Sequence, residues 1–164
     1  MVCLNELAKL DASFARRHGI HLYKPRSLEE RIDETRRYRR LILNNIDDFK
    51  RFLSEFNEII NENTNNSELR AFLKGQNVSY EAGSKGNKLL EKVYTGVMTD
   101  TENLIAPFFY LYDLRLCADH TGKDTTLTDV AKKLGIPDVT DYHAIMTALL
   151  KAMISSCTKL SAKI

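Results

Sequence analysis

At 164 residues, with 43% hydrophobic and 28% charged residues, the chain has the balance of one globular domain rather than a disordered segment. Seven glycines and three prolines are too few for a turn-rich all-β architecture, and no run reaches the roughly 20 apolar residues of a membrane-spanning helix. A net charge of +2 is too small to announce a nucleic-acid binder by bulk electrostatics.

The N-terminus, Met1-Val-Cys-Leu-Asn-Glu6, meets an acid before any apolar run of signal-peptide length, so a cytoplasmic protein is expected. Three cysteines, Cys3, Cys117 and Cys157, are odd in number, far apart and without ligand spacing. They predict buried free thiols and no thiolate zinc site. Neither a metal nor another cofactor is expected.

Apolar spacing at Leu7, Leu10 and Phe14 predicts a first helix over about 4–17, closed by Gly19, and residues 18–26 read as a linker. Ser27-x-x-Glu30 is a capping box. It opens the strongest pattern in the chain, Ile42, Ile46, Phe49, Leu53, Phe56 and Ile60, which extends backwards through Arg39, Thr35, Ile32 and Leu28. That stripe predicts one amphipathic helix over about 27–62, roughly 50 Å long, ended by the polar run Asn61-Glu-Asn-Thr-Asn-Asn66. A short helix over 67–74 stops at Gly75, and residues 75–86 are irregular. Helical spacing returns over 87–97. Thr99-x-x-Glu102 reads as a second capping box ahead of the most apolar helix, about 101–119, with Gly122 as its stop. A short helix over 127–134 and a long one over 140–161 complete the chain. The expected architecture is all-α: a single helical bundle spanning 1–164, with residues 1–26 as N-terminal helix and linker and 27–164 as bundle core.

Arg115 interrupts the apolar stripe Leu104, Phe108, Leu111, Arg115, Ala118. A guanidinium stays charged, and desolvating it unpaired costs several kcal/mol, so it must meet a carboxylate, a ligand or trapped water. Asp119, four residues on, would make it a helix-surface ion pair, leaving His120 an ordinary helix terminus. Such a pair contributes only ~0.3–0.5 kcal/mol, a poor reason to break so apolar a helix. His120 falls in the final turn, where the partial negative charge of the helix end favours imidazolium. An imidazole that moves protons beside an arginine that grips a phosphate suits metal-free cleavage of RNA.

The segment Leu111-Tyr-Asp-Leu-Arg-Leu-Cys-Ala-Asp-His-Thr-Gly122 resembles the R-x-x-x-x-H segment of HEPN-domain proteins. The resemblance implies a helical bundle and a metal-independent endoribonuclease of a toxin or antiphage system, with a composite site where two copies meet. It also implies that Arg115 orients the scissile phosphate and that His120 is the general acid/base. Leu116 stands directly after Arg115, where active members often carry Asn, Asp or His. Asp113 and Asp119 are the nearby polar groups that would support the site in its place. The implied partners are RNA, a second copy of the chain and a partner protein of the same system.

Arg36, Arg37, Arg39 and Arg40 crowd into five residues. They read either as an ion-pair network with Glu29, Glu30, Asp33 and Glu34, or, through Arg36, Arg39 and Arg40, as an RNA-backbone patch. Residues 127–137 resemble the first helix and turn of a helix-turn-helix DNA reader, but the helix after them is long and apolar where a recognition helix is short and polar. Gly83-Ser-Lys-Gly-Asn-Lys88 lacks P-loop spacing and reads as a flexible loop. His18, His21 and His143 have no metal-ligand spacing. The alternative to an enzyme is the same bundle without catalysis, serving dimerisation, partner docking or nucleotide binding.

Overall fold

The apolar stripes condense into helices whose buried faces share one core. The computed structural model describes residues 2–38, 41–119 and 124–164. In chain order these form α1 (Val2–His18), α2 (Leu28–Arg37), α3 (Ile46–Asn57), a single π turn (Glu58–Glu62), α4 (Asn66–Gly75), α5 (Asn87–Gly96), α6 (Ala106–Asp119), α7 (Asp124–Lys133) and α8 (Tyr142–Ala162). The fold is all-α. Among the described residues no strand forms, and Tyr23 and Thr64 make one isolated antiparallel bridge. No described helix is long and apolar enough to cross a membrane.

Helix α6 sits at the centre, packed against α3, α7, α8 and the π turn, while α1 lies along α8. Phe108, Leu111 and Leu114 of α6 meet Ile145, Met146, Leu149 and Met153 of α8 in the same buried cluster. Burying each such side chain contributes about 1.5–3 kcal/mol, so the greasy character of α6 is spent on neighbours around most of its circumference. Leu7, Leu10 and Phe14 bring α1 into the same cluster. The following linker is pinned by Asp11, whose carboxylate accepts from the backbone N–H of Leu22 and Tyr23 and bonds His21 Nδ1 at 2.7 Å. Cys3 and Cys157 are buried free thiols, and burial pushes the Cys3 thiol up to about 12.

Two helix boundaries differ from those read off the sequence. The single helix expected over 27–62 is divided, with α2 ending at Arg37 and α3 starting at Ile46. Asn45 is the reason: its side chain caps α3 by accepting from Asp48 N–H, and Asp48 accepts in return from Asn44 N–H. The stripe therefore merges two segments. Leu28, Ile32 and Ile42 from its upstream part stand exposed, whereas the capping box at Ser27 and Glu30 forms as its residues require. The second expected capping box, Thr99-x-x-Glu102, does not form. Thr99 takes φ 54°, outside the extended region an N-cap needs, and α6 starts only at Ala106. Asp100 replaces it, buried and accepting from Glu102 N–H at 3.0 Å and Leu104 N–H at 2.8 Å.

Because Asp100 satisfies two backbone donors in the turn that feeds α6, Asp100→Ala should lower stability by about 2 kcal/mol. Urea unfolding followed by circular dichroism reads this as a drop in midpoint at unchanged slope. A change below ~0.5 kcal/mol would contradict this role.

Candidate functional site

The π turn after α3 widens the helix by one residue, so that side chains four and five apart share a face. Asn57, Asn61 and Glu62 use that geometry. Asn57 Nδ2 donates to Glu62 Oε1 at 3.0 Å, and Asn61 Nδ2 donates to Asn57 Oδ1 at 2.7 Å. Asn61 Nδ2 also donates to the Phe108 carbonyl of α6 at 3.2 Å. Asn87, at the first turn of α5, donates to the same carbonyl at 3.0 Å. The chain of amides thus runs from a carboxylate on the π turn, through the core, to the start of α5.

Asn57 and Asn61 run between the Glu62 carboxylate and the Phe108 carbonyl, onto which Asn87 also donates, and both of those groups are acceptors. Every amide along it is consequently oriented: turning Asn61 or Asn87 over would set oxygen against oxygen. The Oδ1 atoms of Asn61 and Asn87 are left buried and without a hydrogen-bond partner in the protein. A buried acceptor in that state costs roughly 1–3 kcal/mol. Unsatisfied amides in a native core call for an explanation.

Asn61 and Asn87 line an open cavity of about 490 Å³, shared with Glu62, Lys85, Lys88, Phe109 and Tyr112. Its wall includes the loop read as flexible from sequence. In the structure that loop is tied down: Asn66 Oδ1 accepts from Gly86 N–H at 2.7 Å, and Arg70 donates to the Ser84 carbonyl at 2.8 Å. Gly86 has φ 53°, and a Cβ there would come 3.3 Å from the Asn61 carbonyl. Only glycine fits both the turn and that approach.

Arg115 lies one turn beyond Tyr112 on α6, half-buried, with its guanidinium 4.0 Å from the Glu62 carboxylate at the cavity edge. Arg115 thus faces the π turn. Asp113, two residues earlier and about 200° round the helix, faces α7. Burial raises its pKa and Lys133 opposes the rise. Arg36 is highly exposed, and Asp33 lies 4.0 Å from it. His120, Arg39, Arg40 and Gly122 lie outside the described residues, and of Asp119 only the helical backbone is described. The region read as helix-turn-helix forms α7 and α8. The first turn of α8 is engaged internally, Tyr142 stacking on Phe49 with ring centroids 4.8 Å apart. His18 packs between Phe14 and Phe72, and burial lowers its pKa.

Asn57, Asn61, Glu62, Asn87, Lys85 and Lys88 are absent from the residues that sequence reasoning selected. One signal was present. Asn57 and Asn61 stand four apart, each directly after a core residue, Phe56 and Ile60, the spacing of two amides on one helix face. No family model, no curated protein and no solved structure matches the chain.

Two substitutions separate the buried part of this network from its exposed end. Asn61→Leu leaves Asn57 Oδ1 without its donor and removes one donor from the Phe108 carbonyl, and should cost about 2–3 kcal/mol. Glu62→Gln keeps an acceptor for Asn57 on a side chain 55% exposed, and should stay within ~0.5 kcal/mol. Equal effects of the two in denaturant unfolding would contradict the network.

Proposed function

We propose that the chain is a metal-independent endoribonuclease of the HEPN-like kind, acting as a homodimer in a toxin or antiphage system. Arg115 grips the scissile phosphate and His120 moves the proton. One observation carries this reading: Arg115 projects from a core helix to the edge of an open cavity that also holds Lys85, Lys88 and an exposed aromatic ring, Tyr112. Cations interleaved with aromatic rings suit a single RNA strand, its phosphates held by charge and its bases by stacking.

The Glu62 contact does not stand against this. An ion pair at 4.0 Å, with side chains 30% and 55% exposed, contributes about 0–1 kcal/mol. A phosphate offering two parallel charge-assisted hydrogen bonds competes well for the same guanidinium. In the proposed step the His120 imidazole takes the proton of the 2′-hydroxyl, and the O2′ lone pair attacks phosphorus. The P–O5′ bond breaks, and the departing O5′ takes up a proton from the imidazolium. Arg115 stabilises the charge that gathers on the phosphorane oxygens. The products are a 2′,3′-cyclic phosphate and a 5′-hydroxyl.

A second reading, a helical module that binds RNA without cutting it, is favoured by Leu116 beside Arg115 and by Asp113 facing Lys133 instead of the cavity. The two readings part in one experiment. Incubated with single-stranded RNA in chelator, the wild-type chain should cut and leave 2′,3′-cyclic phosphate ends. Arg115→Ala and His120→Ala should each slow cutting by about 100-fold or more. Cutting that survives both substitutions, or that needs magnesium, refutes the proposed mechanism. Binding without cutting selects the second reading.

A further inference from the structure

A separate cavity of about 440 Å³ is lined by α1, residues 21–26, α2 and the π turn, and shares no lining residue with the one beside Arg115. One of its walls is the segment expected to be a linker. Lys24 N–H donates to the Asn63 carbonyl at 2.9 Å, Asn63 Nδ2 donates to the Lys24 carbonyl at 3.2 Å, and Asn65 N–H donates to the Leu22 carbonyl at 2.9 Å. A wall tied in this way is in place before any ligand arrives. On it stands His21, whose Nδ1 lies 2.7 Å from the Asp11 carboxylate. A carboxylate only accepts, so Nδ1 carries the ring hydrogen and Asp11 sets both the tautomer and the aim of the imidazole. Nε2 has no hydrogen-bond partner among the described residues, on a side chain 53% exposed.

The charges around that imidazole select the ligand. Lys24, Arg26 and Arg31 line the same cavity. Arg26 pairs with Glu34, whose pKa burial raises and both guanidiniums lower. Three cations against the carboxylates of Asp11 and Glu34 leave one positive charge, or two once His21 is protonated. Two is the charge that a phosphate monoester dianion brings. Guanidinium forks match phosphate oxygens in pairs, and Leu4, Leu7 and Ile59 offer an apolar wall to the organic part of an ester. We infer that this cavity binds a phosphate monoester, with the phosphate held by Arg26, Arg31 and Lys24 and by the protonated Nε2 of His21. Asp11 is the positioning residue for that imidazole. The inference does not depend on the ribonuclease reading, since neither Arg115 nor His120 enters it.

Calorimetric titration of the full chain with phenyl phosphate, inorganic phosphate, succinate and phenol tests it. Phenyl phosphate should bind once per chain, at least about fivefold tighter than phosphate or succinate, and phenol should not saturate. His21→Asn keeps a donor for Asp11 where Nδ1 stood and removes Nε2, so a purely structural role would survive it. It should weaken phenyl phosphate binding by about fivefold or more. Glu34→Gln removes the carboxylate that competes for Arg26, and should tighten binding by about threefold or more. Arg115→Ala, at the other cavity, should change it less than about twofold. A 5′-phosphorylated oligonucleotide that displaces phenyl phosphate, where its 5′-hydroxyl twin does not, marks a strand end as the source of the ester; no displacement marks a free small molecule. Wild-type affinity in His21→Asn overturns the proposal, as does weaker binding by Glu34→Gln. So does a loss in Arg115→Ala, phosphate or succinate binding as tightly as phenyl phosphate, or no saturable binding at all.

Discussion

Two asparagine side chains, one from the π turn and one from α5, donate to a single backbone carbonyl on α6, that of Phe108. Apolar packing is non-directional, and a helix as greasy as α6 finds many near-equivalent ways to bury itself. A pair of buried hydrogen bonds to one named atom does not allow that freedom: sliding α6 by one residue would strand both amides. The polar contacts therefore fix which residue of α6 faces the cavity, and with it the position of Tyr112 and Arg115. The hydrophobic effect supplies the bulk of the stability, and the amides set the register.

The same atoms account for the chemistry at the site edge. Asn57 and Asn61 relay from the Phe108 carbonyl to Glu62, and Glu62 stands opposite Arg115. A permanent cation on a core helix is thus met by a carboxylate that is anchored on one side and wet on the other. The Arg115 side chain is 30% exposed and that of Glu62 55%, so this contact lies at the surface.

The helical class was legible because it rests on spacing. Leu7, Leu10 and Phe14, or Met146, Leu149, Met153, Cys157 and Leu160, repeat at helical period, and burial follows them. Breaks were harder to see. The stripe from Leu28 to Ile60 keeps its period across Asn44 and Asn45, so only the capping chemistry of Asn45 and Asp48 marks the new helix. Thr99-x-x-Glu102 has the residues of a capping box, yet Asp100, one position along, wins the backbone donors. The cavity was least legible. Its asparagines lie far apart in the chain, Asn61 in the polar run read as a helix end and Asn87 at a helix start, and a π turn leaves no periodic signature. Arg115 stood out only because charge is conspicuous in an apolar helix.

The central claim is that the Asn61 and Asn87 side-chain amides are locked onto the Phe108 carbonyl, which fixes the register of α6 against the π turn and α5. The most direct measurement is hydrogen exchange of asparagine side-chain NH2 groups by NMR. With the lock in place, the Asn61 and Asn87 NH2 protons should exchange at least about 100-fold more slowly than those of exposed Asn5. Exchange at the rate of Asn5 would contradict it, for it would mean that these amides are open to water and that nothing holds α6 in register.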